Sequence, residues 1–376
     1  MKNRMALLLL LMISLTALPC AADMNYDLTS PYVTYTRTEG GSMPVLLDPA
    51  DMAAADDVEA VQEDTADVWP KTFTITVTGD TTLGSTDDLR KREDCFENVY
   101  AEKGAGWFFS GTRDLFDSDD MTLVNFEGTI TESNSKKDKK FNFKAPAEYV
   151  DILTLGSVEA ANLANNHIVD YGDQGEADTI AALEDADIVA SGNGTLGIFE
   201  KNGVKVGMTG YCFPYKNESK DISKDVKALR EAGCQIVIAS FHRGSEYRED
   251  FTREQRSIGR QAIKAGADIV VGHHPHIVQG IEQYDDTYIL YSLGNFIFGG
   301  NVDPDDRDAY AARLTFTVYE DRCDAPEVTI VPLRLTELSD GTDYRPVLAE
   351  GEEAERIVNR ILKRSHNMDD FENGVW

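Results

Sequence analysis

Positive charge is scarce in this chain of 376 residues: 36 Lys and Arg stand against 66 Asp and Glu, for a formal net charge of −30. That balance excludes broad electrostatic partnership with nucleic acid or anionic headgroups, although an acidic surface alone is most often a solubility device. Cysteine is sparse at five residues, and the spacings match no zinc motif. A chain this long needs no disulfide staples, so Cys95, Cys212, Cys234 and Cys323 are expected to be mostly free or buried, with one disulfide as the alternative. Beyond the N-terminus no apolar run approaches membrane-spanning length, and no repeat recurs at a fixed period. What is present is a 42% apolar fraction. It suffices for one large α/β domain with appendages, or for two domains.

Residues 1–22 carry Lys2 and Arg4, an apolar run from Met5 to Leu18, and Cys20-Ala21-Ala22. This is the layout of a secretory signal peptide cleaved after Ala22, and it predicts an extracytoplasmic protein. Cys20 as a lipid-modified lipoprotein cysteine is the alternative, against which Leu18-Pro19 speaks. Residues 23–70 hold eleven acids and one basic residue, Arg37, and read as a disordered acidic linker. From Phe73 onward, β-branched runs alternate with helical patterns, which indicates stacked βα units. Strands are expected at 73–78, 121–125, 160–163, 188–190, 204–211, 235–240, 267–272, 288–292, 313–319 and 327–335. Helices are expected near 95–109, 175–185, 223–232, 252–265 and 354–363, with a frayed tail from Ser365.

Five of the six His stand in motifs that follow predicted strands, where open α/β folds place ligands. Gly79-Asp80 offers a carboxylate at a tight turn, and Asn125-Phe126-Glu127 offers another at the end of the next strand. Asn165-Asn166-His167 and Ser240-Phe241-His242 add an amide and imidazoles, and His273-His274-Pro275-His276 adds more. Pro275 is expected to push His274 into extended backbone, so that His274 and His276 project together. Asp80, Glu127, Asn166, His242, His274 and His276 form a mixed oxygen and nitrogen set, suited to Mn, Fe or Zn. These are more ligands than one tetrahedral ion uses, and two divalent transition metals would use them all. The run Lys136-Lys137-Asp138-Lys139-Lys140 reads as a solvated loop, with a tether for an acidic polymer as the alternative.

With Asp170-Tyr171-Gly172 and Ser292-Leu293-Gly294-Asn295-Phe296 added, the motifs over residues 72–300 resemble, in type and order, the CapA family of capsule synthesis proteins. That family is associated with poly-γ-glutamate production. The resemblance implies an α/β fold, a four-layer α-β-β-α sandwich like that of the metallophosphoesterases, with C-terminal strands completing the sheets. The implied organisation is a domain over 71–340 followed by a C-terminal helix and tail over 341–376. The implied roles put Asp80, Glu127 and His276 on one metal, and Glu127, Asn166, His242 and His274 on the other. His167 becomes the general acid or a stabiliser of developing charge. Asn125, Lys144, Asp170, Glu246 and Asn295 become candidates for substrate contact or ligand support. The implied activity is hydrolysis of phosphoester or γ-glutamyl-type bonds in an anionic cell-surface polymer or its precursor, in company with membrane-bound synthase subunits. A non-catalytic, metal-binding part in polymer export is the alternative. Two departures stand out: Thr82 replaces a His expected two residues after Asp80, and Arg243 occupies a place where an aromatic residue is expected.

Overall fold

The computed structural model describes residues 33–36, 43–46, 68–212 and 222–366. Residues 1–22, read as a signal peptide, and most of the acidic segment lie outside the described residues. The first strands are β1 (Val33–Thr36), β2 (Met43–Leu46), β3 (Lys71–Thr82), β4 (Met121–Phe126), β5 (Thr129–Ile130) and β6 (Lys144–Ala145). Next come β7 (Ala160–Asn162), β8 (Val189–Ser191), β9 (Gly197–Lys201), β10 (Val204–Cys212), β11 (Ile236–His242) and β12 (Ile269–His273). The last are β13 (Ile281–Tyr284), β14 (Thr287–Leu290), β15 (Asn295–Phe298), β16 (Asp308–Val318), β17 (Glu327–Arg334) and β18 (Val347–Leu348). The helices are α1 (Phe96–Lys103), α2 (Arg113–Asp117), α3 (Val150–Thr154), α4 (Gly172–Asp185), α5 (Ile222–Glu231), α6 (Arg253–Ala265) and α7 (Gly351–Leu362).

Two sheets face each other. The larger runs β2-β1-β17-β16-β3-β4-β7-β8, with β15 beside β3 and β18 beside β17; the smaller runs β13-β14-β12-β11-β10-β9. β3, β4, β7 and β8 are parallel, as are β10, β11, β12 and β14. The antiparallel β16 and β17 extend the first sheet from the C-terminal side, as expected. Alternation along β3 sends Phe73, Ile75 and Val77 to one face, where they meet Val206 and Met208 of β10, Ile236 and Ile238 of β11, and Ile269 and Val271 of β12. Each large apolar side chain buried this way contributes about 1.5–3 kcal/mol. On the outer face of the first sheet, Val124 and Phe126 pack on Phe96, Phe116 and Ile152 of α1, α2 and α3. On the outer face of the second, Val237 and Val270 pack on Val226 of α5 and Ala262 of α6. The layers are therefore α-β-β-α.

Three expectations change. β1 and β2 pair within the segment read as linker and cover the outer edge of β17, whose backbone groups would otherwise be an open edge. Helix α7 is not an appendage: Ala354, Ile357, Val358 and Ile361 enter the core between the sheets. Ser365 and His366 are not frayed, because the Ile281 amide donates to Ser365 Oγ at 2.9 Å and the His366 amide donates to the Ile281 carbonyl at 2.9 Å. The four cysteines are free, and Cys95, Cys212 and Cys234 are buried. Among the described residues no helix is long and apolar enough to cross a membrane.

Candidate metal centre

The parallel strands end side by side, and their C-terminal ends carry the cluster. Asp80 lies near the end of β3, opposite Asn295 of β15 on one side and Asn125 of β4 on the other. Gly79 permits this: a Cβ there would stand 2.2 Å from the Gly294 carbonyl oxygen, so only glycine lets β15 come alongside. The Asp80 carboxylate is surrounded. Asn125 Nδ2 donates to Oδ1 at 2.9 Å, and His273 Nδ1 stands 3.4 Å from that oxygen. His276 Nδ1 is 3.1 Å from Oδ2, and the His274 amide donates to it at 3.4 Å.

Glu127 follows β4 and is fully buried, yet neither carboxylate oxygen has a hydrogen-bond partner. His242 Nε2 lies 3.4 Å from Glu127 Oε1 and 3.1 Å from His274 Nδ1. Three groups of potential ligand atoms converge to within 4.8 Å: Glu127, His242 and His274; Asp80, Glu127 and His276; and Glu246, His274 and His276. Glu246 is exposed and reaches the group from the rim. Asn166 Oδ1, expected to be a ligand atom, is buried without a partner. A buried acceptor without a donor is costly unless something unseen satisfies it. Glu127 and Asn166 are two such residues, Glu127 beside the imidazoles of His242 and His276, and this donor set fits divalent transition metals.

The electrostatics agree. Burial pushes the Glu127 carboxyl up, but His242 and His276 prevail and hold it at about 2. Burial likewise raises Asp80, and His273, His276 and His242 bring it well below the usual carboxylate range. Burial and the neighbouring His242 press His274 down to about 3, so its ring is neutral and ready to coordinate. His276 moves the other way, to about 9, because Glu127 and Asp80 outweigh its burial.

His167 sits beside this cluster. Its Nδ1 is 2.9 Å from Asp170 Oδ2, and its Nε2 is turned toward Glu127 Oε1 at 3.8 Å. Asp170 Oδ2 also accepts from the Phe143 amide at 2.7 Å, and the Phe143 ring meets the imidazole edge-on with centroids 4.6 Å apart. Asn125 is held in turn by Asn162 Nδ2, which donates to Asn125 Oδ1 at 2.7 Å. Asn295 Oδ1 lies 2.9 Å from His276 Nδ1.

Three details differ from the sequence reading, and the two departures at Thr82 and Arg243 take defined places. Lys144 Nζ donates to the Ser133 carbonyl at 3.0 Å and lies over the Tyr171 ring; its bonds are spent inside the 133–144 segment rather than at the cluster. Lys139, read as part of a solvated run, has its Nζ 3.2 Å from His167 Nδ1 and 2.9 Å from the Asn166 carbonyl it donates to, and it pairs with Asp170. His274 is not extended: its φ is +99°. The preference imposed by Pro275 is overridden because this conformation aims the His274 amide at Asp80, while the Pro275 carbonyl is fixed by the Tyr247 amide at 2.8 Å. The two rings still converge, with centroids 5.9 Å apart. Thr82, at the place of an expected His, is fully buried and donates its hydroxyl to the Glu127 carbonyl at 2.8 Å, so it helps position Glu127. Arg243, where an aromatic was expected, lies 3.4 Å from Glu254. His273, Asn162 and Lys139 were not singled out from sequence; the signal for the first two was a polar residue at the end of a fully buried strand.

A family model described as bacterial capsule synthesis protein PGA_cap matches residues 74–300. The PGA biosynthesis protein CapA of Bacillus subtilis is 35% identical over 225 residues, which cover 54% of this chain and 59% of that one. The capsule biosynthesis protein CapA of Bacillus anthracis is 28% identical over 254 residues, 60% of each chain. The chain thus spans about 60% of the length of these curated relatives. Among solved structures, a phosphatase from Mycoplasma pneumoniae is similar with a TM-score of 0.42 and 12% identity, over 78% of this chain and 100% of that one. The family match takes in more than half of the sequence and all the cluster residues from Asp80 to His276, and the chain belongs to the PGA_cap family of bacterial capsule synthesis proteins.

Proposed function

We propose that this protein is an extracytoplasmic, metal-dependent hydrolase that acts on phosphoester or γ-glutamyl-type bonds of an anionic capsule polymer or its precursor, alongside other capsule-synthesis proteins. The observation that carries the reading is the fully buried Glu127 carboxylate, without a hydrogen-bond donor and within reach of His242. Asp80, Glu127 and His276 would hold one divalent ion, and Glu127, Asn166, His242 and His274 the other. Ions in those places supply Lewis-acid polarisation of the scissile bond and a nucleophilic water at neutral pH. His167, anchored through Nδ1 on Asp170, delivers a proton from Nε2 to the leaving group. Asp170 holds that ring in place and balances its charge. Thr82 favours a second reading, a metal-binding component that grips the polymer without cleaving it, because two residues after Asp80 it offers a hydroxyl where the resemblance implies an imidazole.

The test compares metal content and turnover on a generic phosphodiester and on a γ-glutamyl amide. His274→Ala is expected to lose metal and turnover together. His167→Ala is expected to keep the metal and lose about 10²–10⁴-fold in rate. Wild-type protein that holds metal but turns over neither bond class would sink the hydrolase reading and leave the gripping role. Metal content unchanged in His274→Ala would show the site to be misassigned.

A further inference from the structure

At the rim of the cluster stands a carboxylate that the two proposed ligand sets leave out. Glu246 is exposed, and one of its oxygens comes within 4.8 Å of ligand atoms on both His274 and His276. Those imidazoles belong to different sets, His274 with Glu127 and His242, and His276 with Asp80 and Glu127. Among the described residues Glu246 has no ion-pair partner, and the nearby Arg243 reaches Glu254 instead. Its place is set by the backbone. The loop that carries it is tied to the turn that carries both imidazoles: the Arg243 amide donates to the His273 carbonyl at 3.0 Å, and the Tyr247 amide to the Pro275 carbonyl at 2.8 Å. Between those two bonds Gly244 sits at φ +142°, where a Cβ would stand 3.0 Å from Pro275 and from the Gln255 side chain, so glycine lets the loop lie this close. Tyr247 follows at φ +57°, a conformation uncommon for a bulky side chain. Its ring centroid is 6.2 Å from that of His276, and it also lines the concavity that holds Asp308.

The two ligand sets are unequal. Glu127, Asn166, His242 and His274 offer one ion four groups, whereas Asp80, Glu127 and His276 offer the other three. Thr82 does not make up the difference, because its hydroxyl is given to the Glu127 carbonyl at 2.8 Å. Three protein groups leave at least one position on a divalent transition ion open to water or to a further ligand. Glu246 stands beside that position. Two ligands of one ion, each about 2.0–2.2 Å from it, lie no more than about 4.4 Å apart, so closing on His276 asks less than about 0.5 Å of an exposed side chain.

We propose that Glu246 is a direct ligand of the metal centre, binding the ion of Asp80, Glu127 and His276 from the solvent side. The inference rests on the metal-centre reading above and moves Glu246 from supporting the ligands to being one. Asp80, Glu127 and His276 are buried. Glu246 is therefore the ligand of that ion that can exchange for water or substrate without disturbing the core.

The experiment is calorimetric titration of the metal-stripped full chain with Mn²⁺ and with Zn²⁺, wild type beside Glu246→Gln, followed by water-proton relaxation of the Mn²⁺-loaded proteins. Glu246→Gln is expected to weaken the binding of one ion about tenfold or more. Its bound Mn²⁺ is expected to gain about one exchanging water in place of the lost oxygen. Metal-free melting should not change, because the side chain is exposed and unpaired. Equal affinity in the two proteins would overturn the proposal. So would weaker binding with no added water, which would make Glu246 a nearby charge and not a ligand. Wild-type protein that binds neither ion would remove the metal-centre reading itself and this inference with it, a result distinct from the other two, in which the wild-type centre loads. Because no turnover is read, the outcome does not depend on whether the centre is hydrolytic.

Discussion

Two groups of buried acids lie on either side of Tyr247, and they are solved differently. Around Asp308 nearly every carboxylate oxygen has a guanidinium partner: Arg356 reaches both of its oxygens and Arg360 joins one. Around Glu127 the oxygens have none. The first group pairs its carboxylates within the chain and holds α7 against the segment around Asp306 and Asp308. The second leaves the Glu127 carboxylate without a donor, as a cluster able to hold a metal would. Buried charge therefore has two uses here, and hydrogen-bond completeness separates them better than charge count does.

The sharpest way to break this contrast is Glu127→Gln. It is expected to lower divalent-metal affinity by more than about 100-fold, a loss typical of removing a ligand, as read by metal analysis after dialysis. Equal metal content would mean that the unpartnered carboxylate is not a ligand. On the other side of Tyr247, Arg360→Ala is expected to cost on the order of 2–3 kcal/mol of stability, because it strips partners from buried Asp308, and to leave metal content untouched. The check is a denaturant melt beside the same metal analysis. Burial pushes the Asp308 carboxyl up, while Arg356 and Arg360 more than offset it and hold it below its ordinary 3.8. Its stabilisation is therefore complete above that value and fades as pH falls further; in Arg360→Ala the acid limb of a pH melt should move upward.

Lys139→Gln should have a smaller effect, about tenfold in turnover with metal content retained and partial recovery in Lys139→Arg. Full activity of Lys139→Gln would return this lysine to the solvated loop. One further change is expected away from both centres. Burial raises the Asp119 carboxyl to about 7, so folding is penalised progressively as pH rises from 3.8 toward 7 and the penalty persists above it. Asp119→Asn should melt later than wild type at pH 8 and match it at pH 3.5.

Much of this was legible in the sequence because strand period and strand-end chemistry are local signals. β3, β4, β10 and β11 were found from alternating or continuous apolar runs, and α6 from its helical pattern over 252–265, which begins with a Thr252–Gln255 capping box. Asp80, Glu127, His242, His274 and His276 were singled out because each follows such a run, and the fold brings their side chains together. What was not legible depends on distant partners. Lys139 and Lys144 stand five residues apart in one irregular stretch, and only the tertiary path sends the first to Asp170 and the second to the Ser133 carbonyl. The strands β1 and β2 were hidden by an acidic composition that spoke for disorder, whereas the edge of β17 decides their pairing. The backbone of His274 was misjudged because a nearest-neighbour preference yielded to a contact with Asp80, 194 residues away.

That separation has a kinetic meaning. The candidate ligands are contributed by both sheets, and no single segment holds enough of them to capture an ion tightly. Closing so long a loop is entropically slow and must precede any reward from the contacts it brings together. Uptake of a metal at this cluster should therefore mark the end of folding, so that a metal-loaded chain has already docked one sheet upon the other.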